Sequence, residues 1–228
     1  MSKASDLAYL AESLGGSFKY FSQSLGGIKG ARTSGGYTSD KQNLPGNVTD
    51  LYVGGTCHTM SLYWIIGNKC GLGEKKTDFI SWVLPAGPKG APNMGAVNVL
   101  VAKTAMYKAA GPKAATLGIK SDPNFDASFF SRYGLINDSE YSDGADAVKA
   151  AISKSRHRYF MVSYGRDESG HGCAAMSSTM GDFSYFDPNY GEATVPIGAC
   201  MRIWFDEYLK ISGYKDKYAN KSCLAYRY

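Results

Sequence analysis

The first 50 residues contain one amphipathic stretch in an otherwise polar segment rich in paired glycines. Leu7, Leu10 and Leu14 follow i, i+3, i+7 spacing, which predicts a short helix over 5–14 with Ser5 as its N-cap and Gly15 at its end. Beyond this helix we expect a loop as far as residue 47. The sequence therefore predicts a leader over 1–47 and one folded domain over 48–228.

The following segment contains the most apolar helix candidate. Residues 57–68 are apolar nearly all round, which is typical of a helix buried on most sides. Thr56 is its expected N-cap, and Gly67 and Gly71 are expected to stop it. Further helices are predicted over 94–110, ended by Gly111-Pro112, and over 143–155.

After residue 156 the pattern changes to the alternation and β-branched or aromatic content of strands. Strands are predicted over 158–164, 171–178 and 183–186, with a turn over 178–182, and a closing strand over 222–228. One more helix is expected over 201–211. Since helices come first and an antiparallel sheet follows, the fold class is α+β.

Composition restricts the function classes. The chain has 228 residues with 44% hydrophobic and 20% charged side chains, which fits one globular domain. Its net charge of +5 is scattered without a basic run, so nucleic acid is not an expected partner. No apolar stretch is long enough to cross a bilayer, and no secretory signal peptide is visible. The number of cysteines, 5, is odd, which excludes a complete disulfide framework.

Three residues in chain order have settings that suit nucleophilic catalysis. Cys57 would open the buried helix, where the helix dipole and free N–H groups favour a thiolate. His171 lies between two glycines, which we expect to leave its ring accessible. Asp187 ends the next strand, 16 residues later, so one hairpin brings these two side chains to the same end of the sheet. The carboxylate would fix the imidazole tautomer, with the other ring nitrogen facing the sulfur.

Other cysteines and histidines have plainer interpretations. Cys70 and Cys200 are expected to be core thiols. Cys173 shares a strand face with His171 but follows no helix start. A zinc site formed from Cys57, His58, His171 and Cys173 has no standard ligand spacing, and we predict neither a metal nor another cofactor.

Three segments resemble the YopT/AvrPphB-type cysteine proteases, over roughly residues 50–228. The segment that begins at Gly54 reads GGTCHTMSLYWI and is similar to the nucleophile helix of that family. The segment from His171 reads HGCAA and resembles its His-x-x-Ala-Ala strand. The segment from Tyr185 reads YFDPNYGE and is close to its Phe-Asp-Pro-Asn-aromatic-Gly-Glu motif, the most specific of the three.

The resemblance implies a papain-like fold, in which a central helix with the nucleophile packs on an antiparallel sheet with flanking helices. It implies a bacterial effector, secreted and acting in the host cytoplasm, that cleaves host proteins with Cys57 as nucleophile, His171 as base and acid, and Asp187 as orienting residue. The backbone N–H of Cys57 would donate to the oxyanion. For the second donor, the upstream candidates are Gln42, Asn43 and Asn47.

Two other function classes remain open at this stage. A glutamine deamidase uses the same Cys-His-Asp chemistry and the same thioester, but acts on a side-chain amide. A non-catalytic binding module could retain the fold, although the presence of all three residue types argues against it. The substrate, the cleavage site and the oligomeric state are not indicated by the sequence.

Overall fold

A computed structural model describes residues 2–23, 56–87, 91–110, 125–142, 149, 159–166, 169–218 and 220–227. The chain divides into two compact units. The first unit joins Met1–Phe21 to Gly134–Tyr228, and the second is Ser22–Tyr133. His171 and Asp187 therefore lie in the first unit, and Cys57 lies in the second.

The first unit is built on a seven-stranded sheet. Its strands are β1 (Ser17–Tyr20), β2 (Ile136–Ser142), β3 (Tyr159–Arg166), β4 (Ser169–Ser177), β5 (Asp182–Asp187), β6 (Gly191–Pro196) and β7 (Asn220–Arg227). The order across the sheet is β1-β6-β5-β4-β3-β7-β2, and every neighbouring pair is antiparallel. Consecutive strands from β3 to β6 are neighbours, so the middle of the sheet is a meander.

Alternate side chains of the meander form one apolar face. Val162 pairs in register with Cys173, and Ala175 pairs with Tyr185. All four are at most 1% exposed. Because side chains two residues apart on a strand point to the same face, His171 belongs to this face as well.

Three helices of the same unit are described over their full length: α1 (Lys3–Ser13), α6 (Ala199–Ser212) and α7 (Tyr214–Lys217). Leu7 of α1 and Trp204 of α6 are each 1% exposed and join the strand residues in one hydrophobic core. The helices thus cover the apolar face on which His171 lies, and their side chains form the surroundings of that residue.

The second unit contains four helices among its described residues: α2 (Cys57–Cys70), α3 (Phe79–Val83), α4 (Met94–Ala110) and α5 (Phe125–Ser131). Trp64, in the middle of α2, is fully buried. Tyr63 stacks on Trp82 with ring centroids 5.7 Å apart and packs at 5.6 Å against Phe129. Helix α2 is therefore held by aromatic packing at its middle and is buried on most sides, as its continuous apolar sequence predicted.

The α+β class is confirmed. The helices predicted over 57–68, 94–110 and 201–211 correspond to α2, α4 and α6, and the four predicted strands correspond to β3, β4, β5 and β7. The turn over 178–182 is also present, since the N–H of Ser178 donates to the carbonyl oxygen of Asp182 at 2.8 Å. Of the helix predicted over 143–155, only residue 149 is described, and it is helical.

Several local predictions were wrong. Helix α1 begins earlier than predicted, and its N-cap is Ser2, whose hydroxyl accepts from the N–H of Ser5 at 3.2 Å. Helix α2 continues through Gly67 and ends at Gly71, whose φ of 73° stops it. Residues 17–20 form the edge strand β1 instead of a loop, because they pair with β6; the rest of the predicted leader, 24–47, lies outside the described residues.

Two cysteines also differ from expectation. Cys70, predicted to be a core thiol, is exposed, since it lies at the end of α2 where the helix leaves the core. Cys200 is only partly buried in the first turn of α6. Across the described parts of the chain, none of the helices combines the length and the apolar character that crossing a membrane requires.

Candidate active site

The β4–β5 hairpin brings His171 and Asp187 together. The pair Ala174–Phe186 is in register, and one residue further along the same antiparallel register Cys173 faces Asp187. His171 lies two residues beyond Cys173 and on the same face. The separation of 16 residues therefore places the imidazole and the carboxylate side by side, as the sequence predicted.

The imidazole and the carboxylate form a direct, buried hydrogen bond. His171 Nε2 lies 2.8 Å from Asp187 Oδ1. Since a carboxylate oxygen accepts, Nε2 carries the proton, and Nδ1 is the nitrogen left for chemistry. His171 is 6% exposed and Asp187 is 1% exposed. The prediction that the flanking glycines leave the ring accessible was therefore wrong, because aromatic side chains from other elements cover it.

Asp187 is held by further donors. The backbone N–H of Asn189 donates to Oδ1 at 2.8 Å, an Asx-turn contact of the Asp-Pro-Asn segment. The hydroxyl of Tyr208, from α6, donates to Oδ2 at 2.6 Å. Both carboxylate oxygens therefore have protein donors, which is the condition under which a buried carboxylate can remain charged.

Tyrosine rings enclose the histidine. Tyr164, the register partner of His171 on β3, stacks on it at 6.5 Å between centroids and 22° between planes. Tyr214 of α7 packs edge-on at 5.1 Å. The side-chain amide of Asn189 donates to the Tyr214 hydroxyl at 2.7 Å and fixes that ring. These contacts restrict the imidazole to the orientation in which Nε2 meets Asp187.

The environment favours the protonated imidazole. Burial alone lowers the pKa of a histidine, but the interactions with Cys173 and with Asp187 outweigh it. The pKa of His171 is therefore raised well above its ordinary value of 6.5. Because the Cys173 thiol, with a pKa of about 11, is neutral at neutral pH, the carboxylate is the group that holds the proton on the ring.

Cys173 is close to this pair but is a poor nucleophile. It is completely buried, with its sulfur 3.8 Å from the Tyr208 hydroxyl. Burial, and then the charge of Asp187, raise the pKa of this thiol to about 11. Since the thiolate is the reactive form, Cys173 is in the unreactive state at neutral pH.

The same three residues form a possible metal-ligand set. Atoms of His171, Cys173 and Asp187 lie within 4.8 Å of one another. Zinc would require a deprotonated thiol and an unprotonated ring nitrogen. Here the Cys173 thiol is protonated. The Nε2 nitrogen of His171 is hydrogen-bonded to Asp187 Oδ1 and is not available to a metal ion. The arrangement is better suited to proton transfer than to metal binding.

Cys57 is the first residue of α2, a helix of 14 residues. Thr56 is at the N-cap position, as predicted, although it makes no side-chain capping bond. Cys57 is 7% exposed. The positive end of the helix dipole favours an anionic sulfur at this position.

Neighbouring side chains anchor the start of α2. His58 Nε2 lies 2.9 Å from Asp126 Oδ1, on α5. Thr104 of α4 donates to the hydroxyl of Thr59 at 3.0 Å. His58 is therefore engaged in tying α2 to α5, and the first turn that carries Cys57 is held by contacts with two other helices.

Some residues of the site were missed by the sequence reasoning. Tyr208 and Tyr214 come from helices that follow the sheet, and no local motif marks them. A weak signal exists, because Trp204 and Tyr208 are spaced i, i+4 within the predicted helix, which places both on one face. The oxyanion candidates Gln42, Asn43 and Asn47 lie outside the described residues.

A family comparison matches part of the chain. Residues 133–226 match the model of a peptidase family described as Yersinia/Haemophilus virulence surface antigen. The matched segment includes His171 and Asp187 and excludes Cys57. No curated protein matches the sequence.

The chain is similar to several solved structures. The avirulence protein AvrPphB of Pseudomonas superposes with a TM-score of 0.54 at 15% identity, over 78% of this chain and 95% of that one. PatoxP, a cysteine protease-like domain of the Photorhabdus asymbiotica toxin PaTox, gives 0.45 at 10% identity, over 99% and 58%. The YopT domain of the Pasteurella multocida PfhB2 toxin gives 0.29 at 16% identity, over 94% and 92%. The conclusion on the fold depends on the first of these.

The antiparallel sheet with its His–Asp pair, together with the AvrPphB superposition, defines a papain-like cysteine protease fold. The more particular resemblance, to the YopT/AvrPphB-type cysteine proteases, is confirmed by the family match over 133–226.

Proposed function

We propose that this protein is a cysteine endopeptidase of the bacterial effector or toxin type, with Cys57 as nucleophile, His171 as acid and base, and Asp187 as orienting residue. The observation that carries the proposal is the buried His171–Asp187 hydrogen bond at 2.8 Å. It commits Nε2 to the acid and leaves Nδ1 for the sulfur, which is the arrangement a thiol–imidazole pair needs.

The assignment of the thiol is supported by comparison of the described cysteines. Cys173 is near the ring, but its pKa is raised to about 11. Cys70 is exposed at the far end of α2, and Cys200 lies in the first turn of α6. Cys57 combines a helix N-terminus with the GGTC segment that resembles the family's nucleophile helix.

The reaction would proceed in two stages. The Cys57 thiolate attacks the peptide carbonyl, and the protonated His171 gives its proton to the leaving amine, which leaves a thioester on the sulfur. Neutral His171 then takes a proton from water, the resulting hydroxide attacks the thioester, and the acid product leaves with Cys57 restored. The backbone N–H of Cys57 would donate to the oxyanion in both stages.

The proposed substrate class is supported by the likeness to AvrPphB, an avirulence protein of Pseudomonas. We propose that the substrate is a host protein and that cleavage takes place in the host cytoplasm after secretion. Asp187 would act by keeping the His171 ring in the reactive tautomer, a role that ordinarily contributes orders of magnitude to turnover.

The test is mass spectrometry of new peptide termini in host-cell lysate treated with purified protein. We expect new termini with the wild type and with Cys70→Ala, which removes an exposed thiol from the same helix. Cys57→Ala and His171→Ala should lower cleavage about a thousandfold or more, and Asp187→Ala by about two to four orders of magnitude. A thiol-directed acyl probe should label Cys57 in the wild type.

Three results would contradict the proposal. Full cleavage by Cys57→Ala combined with its loss in Cys173→Ala would identify the other thiol as nucleophile. Mass increases of about 1 Da on glutamine, without new termini, would identify a deamidase. No labelling of Cys57 and no modification of any lysate protein would identify a non-catalytic module with this fold.

A further inference from the structure

We propose that Tyr208 is a positioning residue that acts through Asp187: its hydroxyl withdraws part of the carboxylate charge from His171, so that the imidazole can release its proton within the catalytic cycle. This inference rests on the proposed function, because it concerns how the same His–Asp pair is adjusted. It predicts that the strength of one buried hydrogen bond sets the pH range of activity.

The geometry separates the two oxygens of Asp187. His171 bonds Oδ1, whereas the Tyr208 hydroxyl donates to Oδ2 at 2.6 Å. A hydroxyl this close to a carboxylate oxygen makes a short, charge-assisted bond, about twice as strong as one between neutral groups. Tyr208 is 1% exposed, so water does not compete with the bond. The hydroxyl therefore opposes the pull of the carboxylate on the histidine proton.

The catalytic cycle requires that Asp187 does not hold the His171 proton too strongly. His171 must be protonated to release the amine and unprotonated to activate water. In a buried site a lone carboxylate would hold the imidazolium strongly, since charges interact more strongly where the dielectric constant is low. A general base whose proton is held too firmly is slow in the second stage. A donor on the other oxygen weakens that hold without moving the ring.

The other groups around the pair are engaged differently. The hydroxyls of Tyr164 and Tyr185 lie 2.7 Å apart and bond to each other. The Tyr214 hydroxyl accepts from Asn189, and Cys173 is a neutral thiol. The titratable groups facing His171 and Asp187 come from β3, β4, β5, the turn before β6, α6 and α7: Tyr164, Cys173, Tyr185, Tyr190, Tyr208 and Tyr214.

The burial of the tyrosines keeps them in the donor form. The pKa of Tyr208 is raised well above 10 by burial and by the charges of Asp187 and its neighbours. It therefore remains a hydroxyl over the pH range in which His171 titrates. The same holds for Tyr185, whose pKa is likewise raised well above 10, by burial first.

The experiment is an NMR titration of the histidine ring signals of the full-length Cys57→Ala protein, which removes the proposed nucleophile. His171 is one of 3 histidines, and its signal is assigned by its loss in His171→Gln. Adding Tyr208→Phe deletes the hydroxyl and keeps the ring. We expect the His171 titration midpoint to rise by about half a pH unit or more.

A second variant changes the bond in the other direction. Site-specific 3-fluorotyrosine at position 208 makes the phenol more acidic and a stronger donor, and should lower the midpoint. This variant also retains both carboxylate partners, so it provides the test if Tyr208→Phe does not fold. The matched control is Tyr185→Phe, an equally buried tyrosine on the same face whose hydroxyl bonds Tyr164. It should leave the midpoint within about 0.2 unit.

Activity gives an independent readout. With Cys57 present, Tyr208→Phe should lower kcat at neutral pH about three- to tenfold, with KM unchanged and with recovery at higher pH. An unchanged or lowered midpoint in Tyr208→Phe, a midpoint that 3-fluorotyrosine does not lower, or an equal shift in Tyr185→Phe would overturn the inference. If the midpoints move as expected but no peptidase activity exists, the proposed function fails and the coupling of Tyr208 to His171 stands.

Discussion

A substitution at Gly191 tests how closely the start of β6 packs against the edge strand β1. It begins β6 with a φ of 135°, a conformation that side chains other than glycine rarely adopt. A Cβ at this position would overlap the carbonyl oxygen of Lys19 and lie 2.9 Å from the backbone nitrogen of Phe21. Gly191→Ala therefore combines backbone strain with a steric clash against β1.

The two contributions are separable, because other glycines show one without the other. Gly181, at the β4–β5 turn, has a φ of 90° and open space around a Cβ, so alanine there adds strain alone, roughly 1–3 kcal/mol. Gly16 has no positive φ, but a Cβ there would overlap the Thr194 carbonyl oxygen, so alanine there adds the clash alone, about 1–3 kcal/mol. The sum for Gly191→Ala is about 2–6 kcal/mol.

Urea unfolding followed by circular dichroism measures the free energy of unfolding of the wild type and the three variants. The order of destabilisation should be Gly191→Ala first, with Gly181→Ala and Gly16→Ala each smaller. If Gly191→Ala destabilises the protein by the same amount as Gly181→Ala or by less, β1 does not pack against Gly191, and the assignment of residues 17–20 to the sheet is wrong.

Three further outcomes are expected. Trp64→Ala should lower the free energy of unfolding by about 3–5 kcal/mol in urea, since Trp64 is fully buried in α2. Leu7→Ala should cost about 2–5 kcal/mol in the same assay, and no loss would show that α1 is a leader outside the core. The pKa of His171 is raised in the folded state, so its stabilisation is complete below pH 6.5 and is lost as pH rises through the folded pKa. Unfolding of wild type and His171→Gln across this range should therefore show a gap that narrows with rising pH, and a widening gap would refute the assignment.

Elements with long, regular patterns were predictable from the sequence. The continuous apolar run of α2 and the strands β3, β4 and β5 are long enough for their burial to dominate local preferences. The exact end of α2 was not predictable, because a glycine such as Gly67 can allow close packing within a helix as well as end one. A Cβ at Gly67 would lie 3.0 Å from the backbone nitrogen of Phe79, so this glycine allows α3 to approach α2.

The short edge elements were not predictable. Strand β1 has 4 residues, of which 3 are exposed, so it has no hydrophobic alternation to detect. Strand β6 begins at Gly191 and reads GEATVP, with Glu192 buried. These strands exist because their backbones pair with β5 and with each other, and pairing between distant segments leaves little trace in local composition.

In the candidate site, the His171–Asp187 contact was predictable from the sequence, but the tyrosine side chains that surround this pair were not. The contact depends on hairpin register, which strand length and turn position nearly determine. The enclosure depends on Tyr208 and Tyr214, which reach the pair only after α6 and α7 have packed on the sheet. A glycine on each side of His171 predicted an open ring, but exposure is set by what packs from elsewhere in the chain.

The choice between the two thiols shows which physical quantity identifies a nucleophile. Cys173 lies close to the pair, since its sulfur is within 4.8 Å of ligand atoms of His171 and Asp187. That same position makes it fully buried beside a carboxylate, with a pKa of about 11. Cys57 begins a helix of 14 residues, where the positive end of the helix dipole favours the anion. A helix start favours the thiolate, whereas a thiol buried beside a carboxylate stays protonated, and this is the physical reason for proposing Cys57 as the nucleophile.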